Sequence, residues 1–344
     1  MLKLKNINQK LAYFNLKIDN LEIKSGEYFT IVGHSGSGKT TLLELIAGFR
    51  KLHHGKIYLN DNDITNKPIN EREVVFCSGN YLYPHLTVKE NISLSIRKKN
   101  KREQNEIINN IANILKVSHL LNRYPKNLSG GEKQRVSLAM ALVSNPKVIL
   151  LDEPLCSVDR LMHGELIEEL KNIHESNNIT FIHVTHDFVE ALSLSDRLAI
   201  IKNGKIEQFG EINNIIKKPK NRFVAEFVGY TNFLKGYIKD NFFHGDISFK
   251  VPFDTDTKYN ITVAIRPEDV IIVGSNGCKY KSGTLLNGKI KNIYPLGLST
   301  TRIILDIDGV VLICETLRSK ALRLNLKKGD EIAINISNCA IIDN

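Results

Sequence analysis

The feature that most constrains this chain is a five-residue apolar run, Tyr28 to Val32, followed at once by Gly33-His34-Ser35-Gly36-Ser37-Gly38-Lys39-Thr40-Thr41. A helical pattern comes next, with Leu42, Leu43, Ile46 and Ala47 on one face. A strand, a glycine-rich loop and a helix in that order make a concave surface of backbone N–H donors at a helix N-terminus, which suits a polyphosphate. Glycines let the backbone approach the ligand. Lys39 is placed to reach the outer phosphates and the Thr40 hydroxyl to hold Mg²⁺. Open α/β sheets bind ligands at the carboxyl ends of their strands, so a second half of the site is expected after another buried strand. Val148 to Leu151 is that strand, and Asp152-Glu153 follows it. Asp152 is assigned to the magnesium shell and Glu153 to the attacking water as general base.

The first two hundred residues alternate short β-branched runs with helical periodicity, the pattern of an α/β domain around a buried sheet. Ile179 to Val184 reads as a third core strand, and Leu166, Ile167, Leu170 and Ile173 as a helix face. A mostly helical insertion is expected over about 86–141. The pattern breaks around Lys217 to Lys220, and after a short apolar helix, Phe223 to Val228, the boundary is placed at Gly229. This gives an ATPase-like domain over 1–230 and a second domain over 231–344. In the second the period becomes two, as in Ile303, Leu305 and Ile307, with glycine turns between, which predicts a small all-β, OB-like barrel.

Composition narrows the class. A chain of 344 residues with 42% hydrophobic content is long enough for a large domain and a smaller one. It has no run of about 18 apolar residues and no signal-peptide pattern at Met1 to Lys10, so it is expected in the cytoplasm with any membrane-spanning helices supplied by a partner. Lys plus Arg is 47 against 37 for Asp plus Glu, a net charge of +10, spread along the chain rather than gathered in a patch. That distribution argues against nucleic acid as a partner. Arg97 to Arg102, the densest basic stretch, reads as the start of a solvated helix. Five cysteines without C-x-x-C spacing suggest reduced thiols rather than disulfides or zinc.

Leu128-Ser129-Gly130-Gly131-Glu132-Lys133-Gln134-Arg135 separates this chain from other phosphate-loop ATPases. Ser129 with Glu132 forms a capping box that would start any helix. A cap needs neither glycine, and Gly130 and Gly131 are poor helix formers. Two glycines beside a serine at a helix N-terminus make a second anion site, suited to a γ-phosphate presented by another subunit.

This segment resembles the signature motif of the ABC ATPases, and the chain order agrees with that family over about residues 1–230. Leu155-Cys156-Ser157-Val158-Asp159 resembles the D-loop, and His186 in Thr185-His186-Asp187 resembles the switch histidine. The resemblance implies catalytic roles for Glu153 and His186. It implies ATP contacts from Gly33 to Thr41, and from Ser129, Gly130, Gly131, Gln134 and Asp159, with Thr40 and Asp152 at Mg²⁺. It also implies a head-to-tail homodimer, with each ATP between one phosphate loop and the other signature, docked on integral membrane permease subunits at the cytoplasmic face. Two departures stand out. The family's glutamine is missing before Asn80-Tyr81-Leu82-Tyr83-Pro84-His85, where Ser78 or Gly79 stands instead. The adenine-stacking aromatic is displaced, with Leu11 at its register and Tyr13 and Phe14 nearby, of which Tyr13 is the candidate. Hydrolysis is expected to persist, the alternative being a nucleotide-sensing subunit.

Ile265-Arg266-Pro267-Glu268-Asp269-Val270 resembles the entry to the β domain of importer ATPases. Leu286 to Ile290, Thr316-Leu317-Arg318-Ser319 and Leu324 to Glu331 resemble the molybdate-binding type. The resemblance implies molybdate or tungstate as cargo, an extracytoplasmic substrate-binding protein as a further partner, and a regulatory oxyanion at the β domain. Sulfate, iron or sugar import and a soluble non-transport ABC ATPase are the alternatives.

Overall fold

The computed structural model describes residues 1–11, 14–78, 82–156, 160–273 and 284–343. They form two compact units, 1–212 and 213–344. The segment 213–230, which the sequence pattern groups with the first domain, falls in the second unit, where the Tyr230 hydroxyl donates to the Ile216 carbonyl at 2.9 Å.

The first unit is built on a ten-stranded sheet. Five neighbouring strands run parallel, in spatial order Arg197–Lys202, Tyr28–Val32, Thr180–Thr185, Val148–Asp152 and Val74–Ser78. Parallel strands covered on both faces are apolar throughout, and all five residues of Tyr28–Val32 are buried. Successive side chains point to opposite faces, so the strands feed two cores. Tyr28, Ile149, Leu151 and Phe181 pack with the helical insertion and the helix Arg160–Asn177. Phe29, Ile31, Leu150, Ile182 and Val184 pack with Leu42, Leu43 and Ile46 of the helix Lys39–Ala47. The antiparallel strands Leu2–Lys10, Asn15–Ile23, His54–Leu59 and Lys205–Glu211 extend this sheet beyond the parallel block. Arg97 to Arg102 is exposed as expected, and the helix Lys101–Ile114 starts there on an Asn100 cap.

Gly48 ends the phosphate-loop helix, and the carbonyls that this end leaves open are closed by one side chain. Arg72, 4% exposed, donates Nη1 to Leu45 O at 2.8 Å and to Ile46 O at 3.0 Å. Its Nε reaches Lys67 O at 2.9 Å and its Nη2 Thr65 O at 2.8 Å. A cation that fills helix-end carbonyls supports both the hydrogen-bond ladder and the helix dipole. Removing it leaves buried acceptors unpaired. Arg72→Ala is therefore expected to lower the unfolding free energy by about 3 kcal/mol, read from the urea midpoint. A shift below about 1 kcal/mol would reject this account of the helix end.

The second unit contains two five-stranded antiparallel sheets that share one core. Ile303, Leu305 and Ile307 lie in that core and alternate with less buried neighbours, as the period of two requires. Asn232, 4% exposed, joins the sheets: its Nδ2 donates to Ile313 O at 2.9 Å and its Oδ1 accepts from Ile313 N–H at 2.7 Å.

Candidate nucleotide site

Four adjacent parallel strands bring the candidate residues to one edge. Tyr28–Val32 leads into the glycine loop, Val148–Asp152 ends at Asp152, Thr180–Thr185 leads to His186, and Val74–Ser78 ends at Ser78. This is the carboxyl edge at which such sheets bind ligands. Gly33 is closed in, since a Cβ there would stand 2.4 Å from the Ile201 carbonyl oxygen. Gly38 has φ +104°, and a Cβ there would meet the Phe14 ring at 3.0 Å. Both positions need glycine for the loop to close.

The helix Lys39–Ala47 starts at Gly38 with no side-chain cap, so its first N–H groups face the loop without a built-in acceptor. Ser37 Oγ is buried without a hydrogen-bond partner. Lys39, 5% exposed, donates Nζ to Gly33 O at 2.8 Å and His34 O at 3.2 Å. Burial lowers the pKa of its ammonium, while Glu153 and Asp152 act to raise it. Open N–H donors, an unpaired hydroxyl and a cation resting on loop carbonyls fit a polyphosphate.

Thr40 Oγ1 donates to Asp152 Oδ1 at 3.1 Å. Burial raises the Asp152 pKa, and the Thr40 hydrogen bond opposes that shift. Both oxygens line a cavity of about 500 Å³ that also holds Ser78, Phe76, Ser137 and Met140. Two hard oxygen ligands side by side fit Mg²⁺, which keeps most of its remaining positions for water and phosphate. Ser78 is in register with Asp152 on the next strand, so of the two residues that stand for the missing glutamine it is the one described here. Gly79 lies outside the described residues, as do Tyr13 and Asp159.

Glu153 has φ +45°, an uncommon conformation for a side-chain-bearing residue. Its N–H donates to Val184 O of the neighbouring strand at 2.9 Å, and that bond holds the turn. The carboxylate leaves the sheet and meets His186, with Nδ1 at 3.4 Å from Oε1. Strain of this kind concentrates where a side chain must be aimed.

Ser129, Gly130 and Gly131 line a different cavity, of about 360 Å³, with His119, Glu132, Arg135 and Met162. Ser129 Oγ accepts from Glu132 N–H at 3.2 Å and Glu132 Oε2 accepts from Ser129 N–H at 2.7 Å, so the capping box is formed. Gln134, expected at the nucleotide with them, is 2% exposed and its Nε2 has no partner. Within one subunit, then, the structure gathers Gly33 to Thr41, Asp152, Glu153 and His186 at one edge and the Ser129 group at a second cavity.

A feature missed by sequence reasoning adjoins His186. Glu190, 5% exposed, accepts from or donates to His163 Nε2 through Oε1 at 3.0 Å, and its Oε2 lies 3.5 Å from His183 Nε2. Burial acts to raise the Glu190 pKa, but hydrogen bonds from His183, Thr185 and His163 outweigh it and hold the carboxyl at about 2, against an ordinary 4.5. A depressed folded pKa gives stability that is complete above pH 4.5 and lost as pH falls toward 2. The stability difference between the wild type and Glu190→Gln is accordingly expected to be greatest near neutral pH and to shrink over that window in urea titrations. A pH-independent difference would contradict this. The sequence carried no signal for the cluster beyond the residue types themselves.

Comparison with known proteins now has geometry to rest on. The profile of the ABC transporter family matches residues 16–156. The molybdate/tungstate import ATP-binding protein of Pyrococcus horikoshii is 36% identical over 99% of this chain and 99% of its own length. This chain belongs to the ABC transporter ATP-binding proteins. ATP binding, and hydrolysis coupled to transport, come with that membership. The spermidine/putrescine import ATP-binding protein of Thermotoga maritima is 36% identical over 90% of this chain and 88% of its own length. The Fe(3+) ions import ATP-binding protein of Fusobacterium nucleatum is 39% identical over 77% and 74%. Among solved structures, a dimeric ATP-binding cassette in a post-hydrolysis state with ADP and phosphate aligns at TM-score 0.55 and 31% identity, over 62% of this chain and 99% of that one. As an ABC ATPase the chain has the α/β phosphate-loop fold expected of it, followed by a small β domain. Among the described residues no helix is long and apolar enough to cross a membrane.

Proposed function

We propose that this ABC ATPase energises import of molybdate or tungstate through membrane permease subunits, at the cytoplasmic face of the membrane, with an extracytoplasmic binding protein delivering the cargo. What supports the cargo is the match to the molybdate/tungstate relative, which runs the full length of both chains and so includes the β domain. Ferric iron is the second reading, favoured by the 39% identity of the iron relative, although over less of the chain.

In the catalytic cycle proposed here, the N–H groups from Gly33 to Thr41, with the Ser35 and Ser37 hydroxyls, hold the ATP phosphates, and Lys39 turns from the loop carbonyls to the outer phosphates. Thr40 and Asp152 hold magnesium, which when bound neutralises charge across the β- and γ-phosphates. Glu153 takes the proton of the attacking water, and His186 holds that carboxylate beside the terminal phosphate. Ser129, Gly130, Gly131 and Gln134 reach the ATP of a second copy, and Asp159 stands at the same junction. Their place at a cavity apart from Lys39 and Asp152 supports a head-to-tail pair. Tyr13 is proposed at the adenine. Phe14, next to it, packs over Gly38.

A regulatory oxyanion is proposed at Arg318 and Ser319, which open the helix Arg318–Arg323 of the β domain. Reconstituted with its permease in liposomes, the chain is expected to drive ATP-dependent uptake of molybdate and tungstate. Uptake of ferric iron or sulfate with neither of these would replace the proposed cargo. Titration calorimetry of the full chain with tungstate, molybdate and sulfate tests the regulatory site, and the absence of heat with all three removes it.

A further inference from the structure

Glu190 belongs to a seven-residue helix, Phe188–Leu194, that is capped by Asp187, whose side chain accepts from Val189 N–H at 2.7 Å. So short a helix has little stability of its own, and its position must come from tertiary contacts. Its buried carboxylate meets two other elements. His163 comes from the helix Arg160–Asn177, which follows the loop containing Asp159. His183 comes from the strand Thr180–Thr185 and is fully buried, and its Nδ1 lies 3.1 Å from the Tyr28 hydroxyl on the adjacent strand. One carboxylate thus stands between histidines of two elements, with a tyrosine behind the second.

The helix Arg160–Asn177 is fixed independently at a second place. Glu169 Oε1 accepts from Arg135 Nη1 at 2.9 Å, and both side chains are buried. Arg135 lies on the helix Gly130–Leu142, which begins at the Ser129 cap. The contact of His163 with Glu190 is therefore made against an anchored helix rather than a free one. Burying a carboxylate costs several kcal/mol that partners only partly return, so core packing alone is a weak reason for Glu190.

We propose that Glu190 is a positioning residue for His186: through His163 and His183 it ties the helix that follows His186 to the helix Arg160–Asn177 and the central sheet, and so sets where the His186 ring stands beside Glu153. This rests on the reading of His186 as the group that holds Glu153 at the terminal phosphate. The ring is 57% exposed and makes its 3.4 Å contact with a carboxylate that is itself 35% exposed, so its immediate surroundings do not hold it. The nearest buried connection on its own segment is Glu190. The same tie links the hydrolytic edge to the helix of Ser129, which faces the ATP of the second copy.

The test uses the purified full-length chain with ATP and magnesium. Glu190→Gln keeps the shape of the side chain and removes its charge. Misplacing a catalytic group by about 1 Å costs on the order of a hundredfold, and a partial displacement is expected to lower kcat about tenfold with KM within about twofold. His163→Gln, at a less buried site, should move kcat the same way by less, and it carries the test if Glu190→Gln does not fold. A folded variant with wild-type kcat, or one in which kcat and KM change together, overturns the proposal. Ring-nitrogen NMR of the histidines supplies a readout that needs no turnover. The His186 signals of the nucleotide-free chain are expected to move in Glu190→Gln, together with those of His163 and His183, and an unmoved His186 overturns the proposal. A wild-type chain that neither binds nor hydrolyses ATP would instead overturn the nucleotide reading, leaving the NMR outcome to decide the tie.

Discussion

Glu153→Gln is expected to slow ATP turnover by about a thousandfold while the protein goes on binding ATP. Glutamine has the same shape and can keep the left-handed backbone at this position, since the bond from its N–H to Val184 O does not involve the side chain. What it cannot do is accept a proton from water. The ion pair lost with His186 is 3.4 Å long between partly exposed groups, and such pairs add little to stability. Folding should be nearly unaffected, and ATP that is bound but not cleaved should accumulate between paired subunits. Phosphate release and gel filtration with labelled ATP measure the two effects. Turnover within tenfold of wild type would mean that another group takes the proton. In this chain that outcome has particular interest, because Ser78 occupies the end of the strand where a glutamine is expected.

Lys39→Ala is expected to weaken ATP binding by about a hundredfold, the worth of one or two charge-assisted hydrogen bonds in a site closed to water. The ammonium is buried between the Gly33 and His34 carbonyls and within the field of Glu153 and Asp152, which keeps it cationic despite its burial. Truncation leaves two carboxylates facing the incoming phosphates without that cation. Repulsion then adds to the lost contacts. Equilibrium binding of a fluorescent ATP analogue measures the effect, with thermal unfolding as the control for folding. Affinity within threefold of wild type would show that the loop N–H groups alone hold the phosphates.

Much of this site could be read from local sequence because its parts are local. Strand, glycine loop and helix occupy consecutive residues, and so do the strand Val148–Asp152 and Glu153. The strands were expected at Tyr28 to Val32, Val148 to Leu151 and Ile179 to Val184, and are found at Tyr28–Val32, Val148–Asp152 and Thr180–Thr185. Continuous apolar runs of that length are forced by burial on both faces. The short helix before Gly229 is also found, at Arg222–Phe227, yet the chain divides at 212 and not after it. Local periodicity reports what a segment forms and not which unit it packs against.

The order of residues by itself determined the phosphate cradle, the acidic pair after a buried strand and the capping box at Ser129, because each depends on hydrogen bonds and dihedral preferences within a few consecutive positions. Only the tertiary structure decided which strands are neighbours. That choice places Ser78 beside Asp152, turns Glu153 by way of Val184 and sets Glu190 between His163 and His183. These contacts join residues far apart in the chain, and their geometry follows from the packing of whole elements against two shared cores. No segment taken alone carries that information.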